Sequence, residues 1–139
     1  MQLWDLETGR EMTRLDLGRG ALRGLACSGD GKRLACGTEA GAVLVWEFTG
    51  EWNVEERPVR GTVGPVVATA FAPDALTLYT ASSDGQIARW AYVPALKAWE
   101  KQGLWLLPGP VYGMDLSADR RHAVTANGDG TAYVLRLDP

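Results

Sequence analysis

The feature that most constrains how this chain can fold is an internal repeat with a period of 44 to 45 residues. Three stretches of 26 residues, which begin at Leu22, Val66 and Val111, align without a gap. Their turn residues coincide in the alignment, at Asp30, Asp74 and Asp119 and again at Gly41, Gly85 and Gly130. Self-similarity at a fixed period predicts a repeat architecture in which each unit packs against its neighbours.

Each copy has the pattern of a meander of short strands. A first apolar strand leads to a polar turn, a second strand follows at 33–36, 77–80 and 122–125, and a tight turn leads to a third strand. The glycine of that tight turn supplies the positive φ that a two-residue hairpin loop needs. A further strand is predicted between copies, at 11–17, 52–60 and Ala98–Leu106, and one helical turn is allowed within 92–101.

Four strands per unit at this period are typical of a β-propeller blade. The sequence therefore predicts an all-β chain that forms a partial β-propeller of about three four-stranded antiparallel blades. Residues 1–139 form one domain, in which 1–17 end a preceding blade and 18–60 and 61–107 are two blades. The last blade, 108–139, lacks its outer strand.

The segments MQLWDLETG, AGAVLVWE and DGQIARWA carry tryptophan at one repeat position, and AFAPDALTLYTASSDG joins a first strand to a turn aspartate. These segments resemble bacterial-type repeats of the WD40 family, and the resemblance covers essentially the whole chain. It implies the C-terminal part of a larger propeller, or alternatively an independent half-ring that pairs with another chain. The matching structural positions are Trp4, Asp5, Trp46, Trp90, Asp84 and Asp129.

The chain departs from the family pattern at the position where WD40 blades commonly carry histidine. Gly18, Thr62 and Leu107 stand there, and Ala40 replaces one turn aspartate. The hydrogen-bonded network of histidine, aspartate, Ser/Thr and tryptophan is therefore incomplete in every blade. We expect apolar packing in its place and lower stability than in blades with the full network.

Composition excludes several functional classes. The chain has 14 Lys+Arg and 17 Asp+Glu, which gives a net charge of −3 and no basic footprint for nucleic acid. No apolar run approaches the roughly 18 residues of a membrane span, so no membrane partner is expected. Cys27 and Cys36 make no disulfide framework and are predicted to be buried thiols, which favours a reduced, cytoplasmic location.

No pattern of residues predicts catalysis. His122 is the single histidine, and no GxSxG nucleophile motif is present. The segment NGDG at 127–130 lacks the spaced acidic ligands of a calcium loop and is interpreted as a hairpin turn. We therefore predict no catalytic, cofactor-binding or metal-binding residue, and we interpret the three tryptophans of the shared repeat position as packing residues.

The resemblance implies a non-catalytic scaffold for protein–protein interaction, within a larger regulatory or signalling protein. In the family, partners meet the face built by the fourth-to-first and second-to-third strand loops. The candidate partner-binding residues at the corresponding positions are Arg23, Glu39, Val67, Ser83 and Tyr112. The alternative is a propeller-based enzyme, a quinoprotein-like dehydrogenase or a hydrolase, whose site lies in a part of the protein outside this chain.

The repeat also predicts burial and association. Apolar residues of the inner strands should be buried, namely Leu25, Leu34, Val45, Ala70, Leu78, Ile87, Met114, Val124 and Val134. The first and last units lack strands, so 1–5 and 131–137 should present unpaired edges, which template association with further chains. We therefore expect self-association or pairing with the rest of the propeller.

Overall fold

Short antiparallel strands account for nearly all of the regular structure, as the meander pattern predicts. The computed structural model describes residues 1–15, 20–50, 53–61, 63–119 and 121–137, so Gly18 and Thr62 lie outside the described residues. No α-helix occurs in this part of the chain. The strands are β1 (Gln2–Asp5), β2 (Arg10–Arg14), β3 (Leu22–Cys27), β4 (Arg33–Thr38), β5 (Val43–Phe48), β6 (Val54–Arg57), β7 (Val59–Arg60), β8 (Val66–Phe71), β9 (Thr77–Ser82), β10 (Gln86–Val93), β11 (Ala98–Leu106), β12 (Val111–Leu116), β13 (His122–Asn127) and β14 (Ala132–Arg136).

The strands form four sheets in chain order, and the fold is that of a partial β-propeller. Sheet I pairs β1 with β2, sheet II has the order β3-β4-β5-β6, sheet III has the order β8-β9-β10-β11-β7, and sheet IV has the order β12-β13-β14. The predicted strand Ala98–Leu106 is confirmed, and a 3₁₀ turn at Pro94–Leu96 occupies the one stretch where a helical turn was expected.

The turns repeat because the same residue types set them. In the first turn of each copy an aspartate side chain accepts backbone N–H groups: Asp30 from Lys32 at 3.0 Å, and Asp74 from Leu76 at 2.8 Å. In the tight turn, glycine has a positive φ of 82°, 89° and 82° in the three copies. That conformation disfavours residues with a Cβ atom, which explains the glycine at 41, 85 and 130.

The strand predicted over 52–60 is not one strand in the described residues. It divides at Pro58 into β6, which completes sheet II, and β7, which pairs in parallel with β11 at the outer edge of sheet III. Proline lacks the N–H that a ladder needs, so the pairing with β5 ends there and the chain crosses to the next sheet. The polypeptide thereby links neighbouring sheets at their outer edge.

Neighbouring sheets pack face to face, with β3 against β8 and β8 against β12. The largest apolar cluster lies between sheets II and III and includes Val45, Phe71, Leu78, Trp90 and Trp99. A second cluster, around Trp46 and Leu34, receives Met1 and Leu15 from the sheet I side. Two further clusters join sheets III and IV. Burial is confirmed for Leu34, Val45, Ala70, Leu78 and Ile87.

Several burial predictions are wrong, and they share a physical reason. Leu25 is 62% exposed, Val124 is 43% exposed and Val134 is 68% exposed, and Cys27 is an exposed thiol. Leu25 and Cys27 lie on the face of sheet II directed away from sheet III, and the two valines lie on the face of sheet IV directed away from sheet III. The two-stranded sheet I covers the sheet II face only around Trp46 and Leu34, and no described sheet lies beyond sheet IV, whereas the prediction assumed a full neighbouring sheet on both sides.

The interpretation of Trp4 as a packing residue is also wrong. Its side chain is 52% exposed, whereas Trp46 and Trp90 at the same repeat position are 2% and 0% exposed. Trp4 lies on the first strand of the row, so no described sheet covers the side to which its repeat position directs it. Met114, by contrast, is half-buried against sheet III.

A network of charged side chains connects sheets II and III near the outer strands. Arg33 Nη2 donates to Glu47 Oε1 at 2.8 Å, and Arg57 Nε donates to Glu47 Oε2 at 2.6 Å. Arg33 also donates to the carbonyl of Ala75 at 3.2 Å and lies over the ring of Tyr92, 5.3 Å from its centroid. Glu47 therefore joins two arginines that are both largely buried.

Candidate partner-binding cleft

One repeated backbone contact positions the loops at one end of the three larger sheets. In each sheet the residue that follows the second strand donates its N–H to the carbonyl of the residue that precedes the first strand. The N···O distance is 3.4 Å for Glu39 and Ala21, and 2.8 Å for Ser83 and Pro65. In sheet IV, Gly128 and Pro110 make the same contact at 2.8 Å. The second-to-third strand loops are therefore fixed against the start of the first strands.

A cleft of about 390 Å³ lies at this end of the molecule, across sheets II, III and IV. Its lining residues come from β3, β8 and β12 and from the loops just described: Arg23, Glu39, Pro65, Val66, Val67, Ser83 and Tyr112. All five residues chosen from the sequence as partner-binding candidates are in this set. Two lining residues, Pro65 and Val66, are not among these five candidates. The contribution of Val66 was missed because it is the buried first residue of β8.

One wall of the cleft is charged. The Arg23 guanidinium donates to the Glu39 carboxylate, which joins β3 to the loop after β4. Both side chains are about half exposed. This pair presents a cation and an anion side by side, so the wall is close to neutral and offers both a donor and an acceptor to a ligand.

The opposite wall is aromatic. Tyr112 is 69% exposed and lies on β12, next to the loop at Gly128. A Cβ atom added at Gly128 would stand 2.9 Å from the Tyr112 hydroxyl, so the phenol ring lies directly along the glycine backbone. Val67 and Pro65 provide the apolar floor between the two walls. Aromatic and arginine side chains around an apolar floor are the composition that protein interfaces favour.

Comparison with known proteins gives one distant relative. Over 89 residues the chain is 30% identical to the "Periodic tryptophan protein 2 homolog" of Schizosaccharomyces pombe (strain 972 / ATCC 24843), a WD40 protein. The match covers 63% of this chain and 10% of the relative, so the chain spans about a tenth of the relative's length. No family model matches the chain. The similarity is compatible with WD40 repeats and suggests a protein-interaction role at the level of that family.

The repeat positions carry different parts of the side-chain network in different sheets. In sheet III, Trp90 Nε1 donates to Thr80 Oγ1 at 2.9 Å, and the Ser82 hydroxyl donates to the Asp84 carboxylate. In sheet IV, Leu135 stands at the tryptophan position, and the hydroxyl of Thr125, equivalent to Thr80, is buried with no hydrogen-bond partner. In the last sheet the network is therefore incomplete because the indole N–H that would pair with the threonine hydroxyl is missing.

The turn aspartates at the other repeat positions have the role of structural acceptors. Asp129 Oδ1 accepts from the N–H of Thr131 at 3.0 Å and from its hydroxyl at 2.6 Å, and these hydrogen bonds hold the pKa of Asp129 below its usual value. Asp5 Oδ1 accepts from the N–H of Glu7 at 2.8 Å, which likewise lowers its pKa. Both aspartates stabilise turns.

Few reactive side chains occur among the described residues. No group of three or more His, Cys, Asp or Glu side chains is placed to hold a metal ion in the described ranges. Burial raises the pKa of the Cys36 thiol to about 11, which keeps it protonated at neutral pH. His122 Nδ1 lies 3.9 Å from Asp119 Oδ1, beside the turn between β12 and β13 and at the opposite end of these strands from Tyr112. No helix in the part of the chain described is long and apolar enough to cross a membrane.

Proposed function

We propose that this chain is a non-catalytic protein-interaction module of WD40 type, part of a larger regulatory or signalling protein, and that its partner binds in the cleft at Arg23, Glu39, Val67, Ser83 and Tyr112. The observation that carries the proposal is the convergence of these five side chains, from three sheets, on one cleft of about 390 Å³. They are far apart in the sequence, and the stacking of the sheets brings them together.

The form of the cleft indicates what the partner presents. An apolar side chain would lie on Val67 and Pro65 against the ring of Tyr112, where it would lose water on both sides. A polar or charged group beside it would exchange hydrogen bonds with Arg23 or Glu39. We propose a protein loop or peptide with an apolar residue next to a charged one as the binding element.

A peptide-display library panned on the immobilised chain tests this proposal. Selected peptides should combine an apolar and a charged residue, and Tyr112→Ala and Arg23→Ala should each weaken their binding about tenfold or more. Leu96→Ala, at an exposed site on the 3₁₀ turn, is the matched control and should bind as the wild type does. Melting curves should be unchanged in all three variants, because the three side chains are exposed.

Retention of full binding by both cleft variants would refute the location of the site. Selection of peptides that the Leu96 variant alone fails to bind would move the site to another face. The proposed cytoplasmic setting is supported by the two cysteines, which are both free thiols.

A further inference from the structure

The outer strand of sheet III ends in three consecutive large apolar side chains that are exposed. In β11, Leu104 is 46% exposed, Trp105 is 40% exposed and Leu106 is 73% exposed. Sheet III has sheet II on one side and sheet IV on the other, so this exposure does not come from the absence of a neighbouring sheet. A contiguous apolar patch of this kind on a folded chain marks an interaction surface.

Comparison with sheet II explains why these side chains are exposed. In sheet III, residues 104–106 of β11 pair with 86–88 of β10. The equivalent residues of β5 are 42–44, and they have no described partner strand on that side, because β6 ends at Arg57, opposite Val45. Residues 104–106 therefore form an extension of the outer strand that sheet II lacks, and sheet II has no described strand at the matching place to cover them.

Two residues of this segment direct their backbone polar groups away from the sheet. The Leu107 N–H donates to the Gly85 carbonyl at 2.8 Å, so these residues are a hydrogen-bonded pair of the ladder. Hydrogen-bonded and non-hydrogen-bonded pairs alternate along an antiparallel ladder, which makes Trp105 the next residue that bonds to β10. Leu104 and Leu106 therefore turn their N–H and C=O groups to the outer edge, where no described strand pairs with them.

The chain itself adds a strand to the same edge. The short strand β7, Val59–Arg60, pairs in parallel with 99–100 of β11. After β7 the backbone of Gly61 has a φ of 116°, and the N–H of Val63 donates to the carbonyl of Gly41 on sheet II at 3.2 Å. The chain thus leaves the edge after β7, so β11 accepts a strand at its beginning and stays open at its end.

The open end of β11 lacks the features that keep edge strands from pairing. Lysine, proline and β-bulges commonly protect such edges. Here Lys101 and a bulge at Gln102 stand before the open segment and Pro108 stands after it, but 103–106 has none of these features. The open segment is about four residues, or roughly 14 Å, long, which sets the length of the strand that it can pair with.

We propose that an extended segment of a partner protein adds to sheet III as a further strand, along 103–106 of β11 and next to the end of β7. Its backbone exchanges hydrogen bonds with the outward N–H and C=O groups of Leu104 and Leu106. Its side chains pack on these two leucines on one face of the sheet and on Trp105 on the other. The segment has a run of β-branched or aromatic residues, since its successive side chains meet apolar partners on both faces.

A partner segment fits this edge better than a second copy of the chain does. Two copies joined along their open edges would pair only about four residues each, whereas a stable protein interface buries roughly 1,200 Å² or more. Each copy also carries a net charge of −3, which opposes their association. The open edge ends at the tight turn that carries Ser83 of the cleft, so a partner bound in the proposed cleft has the edge within reach, although the edge contact does not depend on the cleft.

Fluorescence anisotropy with a labelled peptide, Lys-Thr-Val-Ile-Val-Thr-Lys, tests the proposal, because the central residues of this probe are all β-branched. The wild-type chain should bind the probe. Leu106→Lys places a charge on the open edge, and Leu104→Pro removes an outward N–H without removing a hydrogen bond to β10, so each should weaken binding about tenfold or more. Leu96→Lys, at an exposed leucine of the 3₁₀ turn, is the matched control and should bind as the wild type does.

Two further measurements distinguish strand addition from adhesion to an apolar surface. The same peptide with N-methyl groups on its Val-Ile-Val core keeps its side chains but loses the N–H groups, so it should bind about tenfold or more weakly than the unmodified probe. In the complex with the unmodified probe, the backbone N–H groups of Leu104 and Leu106 should exchange with deuterium about tenfold or more slowly, whereas exchange at Leu96 should not change.

Several results would overturn the proposal. Absence of probe binding at millimolar concentration, or equal binding of the unmodified and methylated peptides, would show that no strand is added. Equal binding by Leu106→Lys and the wild type would remove the probe from this edge, and Leu106→Lys decides alone if the proline variant melts at a lower temperature. A probe that Leu106→Lys binds and Tyr112→Ala does not would lie in the cleft instead. Light scattering that gives a dimer for the wild type and a monomer for Leu106→Lys would show that a second copy occupies the edge.

Discussion

Two buried threonines occupy equivalent positions of sheets III and IV, and we expect substitution by valine to have opposite effects on stability at the two sites. Thr80 and Thr125 are 1% and 0% exposed, and each stands on the second strand of its sheet. Thr80 Oγ1 accepts the indole N–H of Trp90 at 2.9 Å. Thr125 Oγ1 has no partner, because Leu135 stands where the indole would be. Valine has the same shape as threonine but carries a methyl group in place of the hydroxyl.

The expected changes in the free energy of unfolding follow from the hydrogen bonds that each substitution removes. Thr80→Val leaves a fully buried indole N–H without an acceptor, which should destabilise the chain by about 1–3 kcal/mol. Thr125→Val removes a buried hydroxyl that is unpaired and adds apolar volume, which should stabilise the chain by about 1 kcal/mol. The two valine variants should therefore differ by about 2–4 kcal/mol in their free energies of unfolding.

Urea unfolding followed by tryptophan fluorescence measures both variants, at a protein concentration where the chain is monomeric. With a urea dependence of about 1–3 kcal/mol per molar, a change of about 1 kcal/mol shifts the midpoint by roughly 0.3–1 M. The midpoint should rise for Thr125→Val and fall for Thr80→Val, with equal slopes. A fall of similar size for both variants would refute the reasoning, since it would show that the Thr125 hydroxyl is satisfied in solution.

Three further results are expected from the contacts described. A thiol reagent should modify the exposed Cys27 in the native chain and Cys36 only after denaturation, because burial raises the pKa of Cys36 to about 11; fast reaction of both would contradict the placement of Cys36. Glu47→Gln should destabilise the chain by about 2 kcal/mol, a value between those of surface and buried ion pairs, because it weakens the hydrogen bonds that Glu47 accepts from two largely buried arginines. An unchanged urea midpoint would show that the charged network contributes nothing to stability. The pKa values of Asp30 and Asp119 lie below the ordinary value of 3.8, because each carboxylate accepts a hydrogen bond from the serine two residues earlier. The stabilisation that these two carboxylates give is therefore present above pH 3.8 and is lost as the pH falls through their lowered pKa values. Urea midpoints that do not fall in this acid range would contradict that expectation.

The sequence was sufficient to predict what depends on local chemistry. The strand Ala98–Leu106, the 3₁₀ turn near Pro94 and the positive-φ glycines of the tight turns all follow from residue types within a few positions. The buried core of the central sheets was also predictable, because Leu78 and Ile87 have a neighbouring sheet on each side.

The burial and strand pairing that could not be predicted depend on which sheets lie next to one another. The repeat pattern does not specify these neighbours. Val134 has the same alternation as Val45, yet Val45 is fully buried and Val134 is largely exposed, since only Val45 has a further sheet beyond it. The crossing of β7 to sheet III was missed for another reason. Pro58 indicates where the pairing with β5 stops, but the parallel partner β11 lies about forty residues further along the chain.

Prediction of the cleft residues needs both the local repeat pattern and the arrangement of neighbouring sheets. Their positions along each strand come from the repeat, but their convergence requires that the sheets stand close together and at a fixed spacing. Gly24 and Gly37 permit that spacing, because any side chain at either site would collide with β8. The same strand carries Val66 and Val67, which line the cleft together with Arg23. The close packing that stabilises the row of sheets therefore also sets the width of the proposed binding site, so a change in the interface between sheets would alter binding without any contact with the partner.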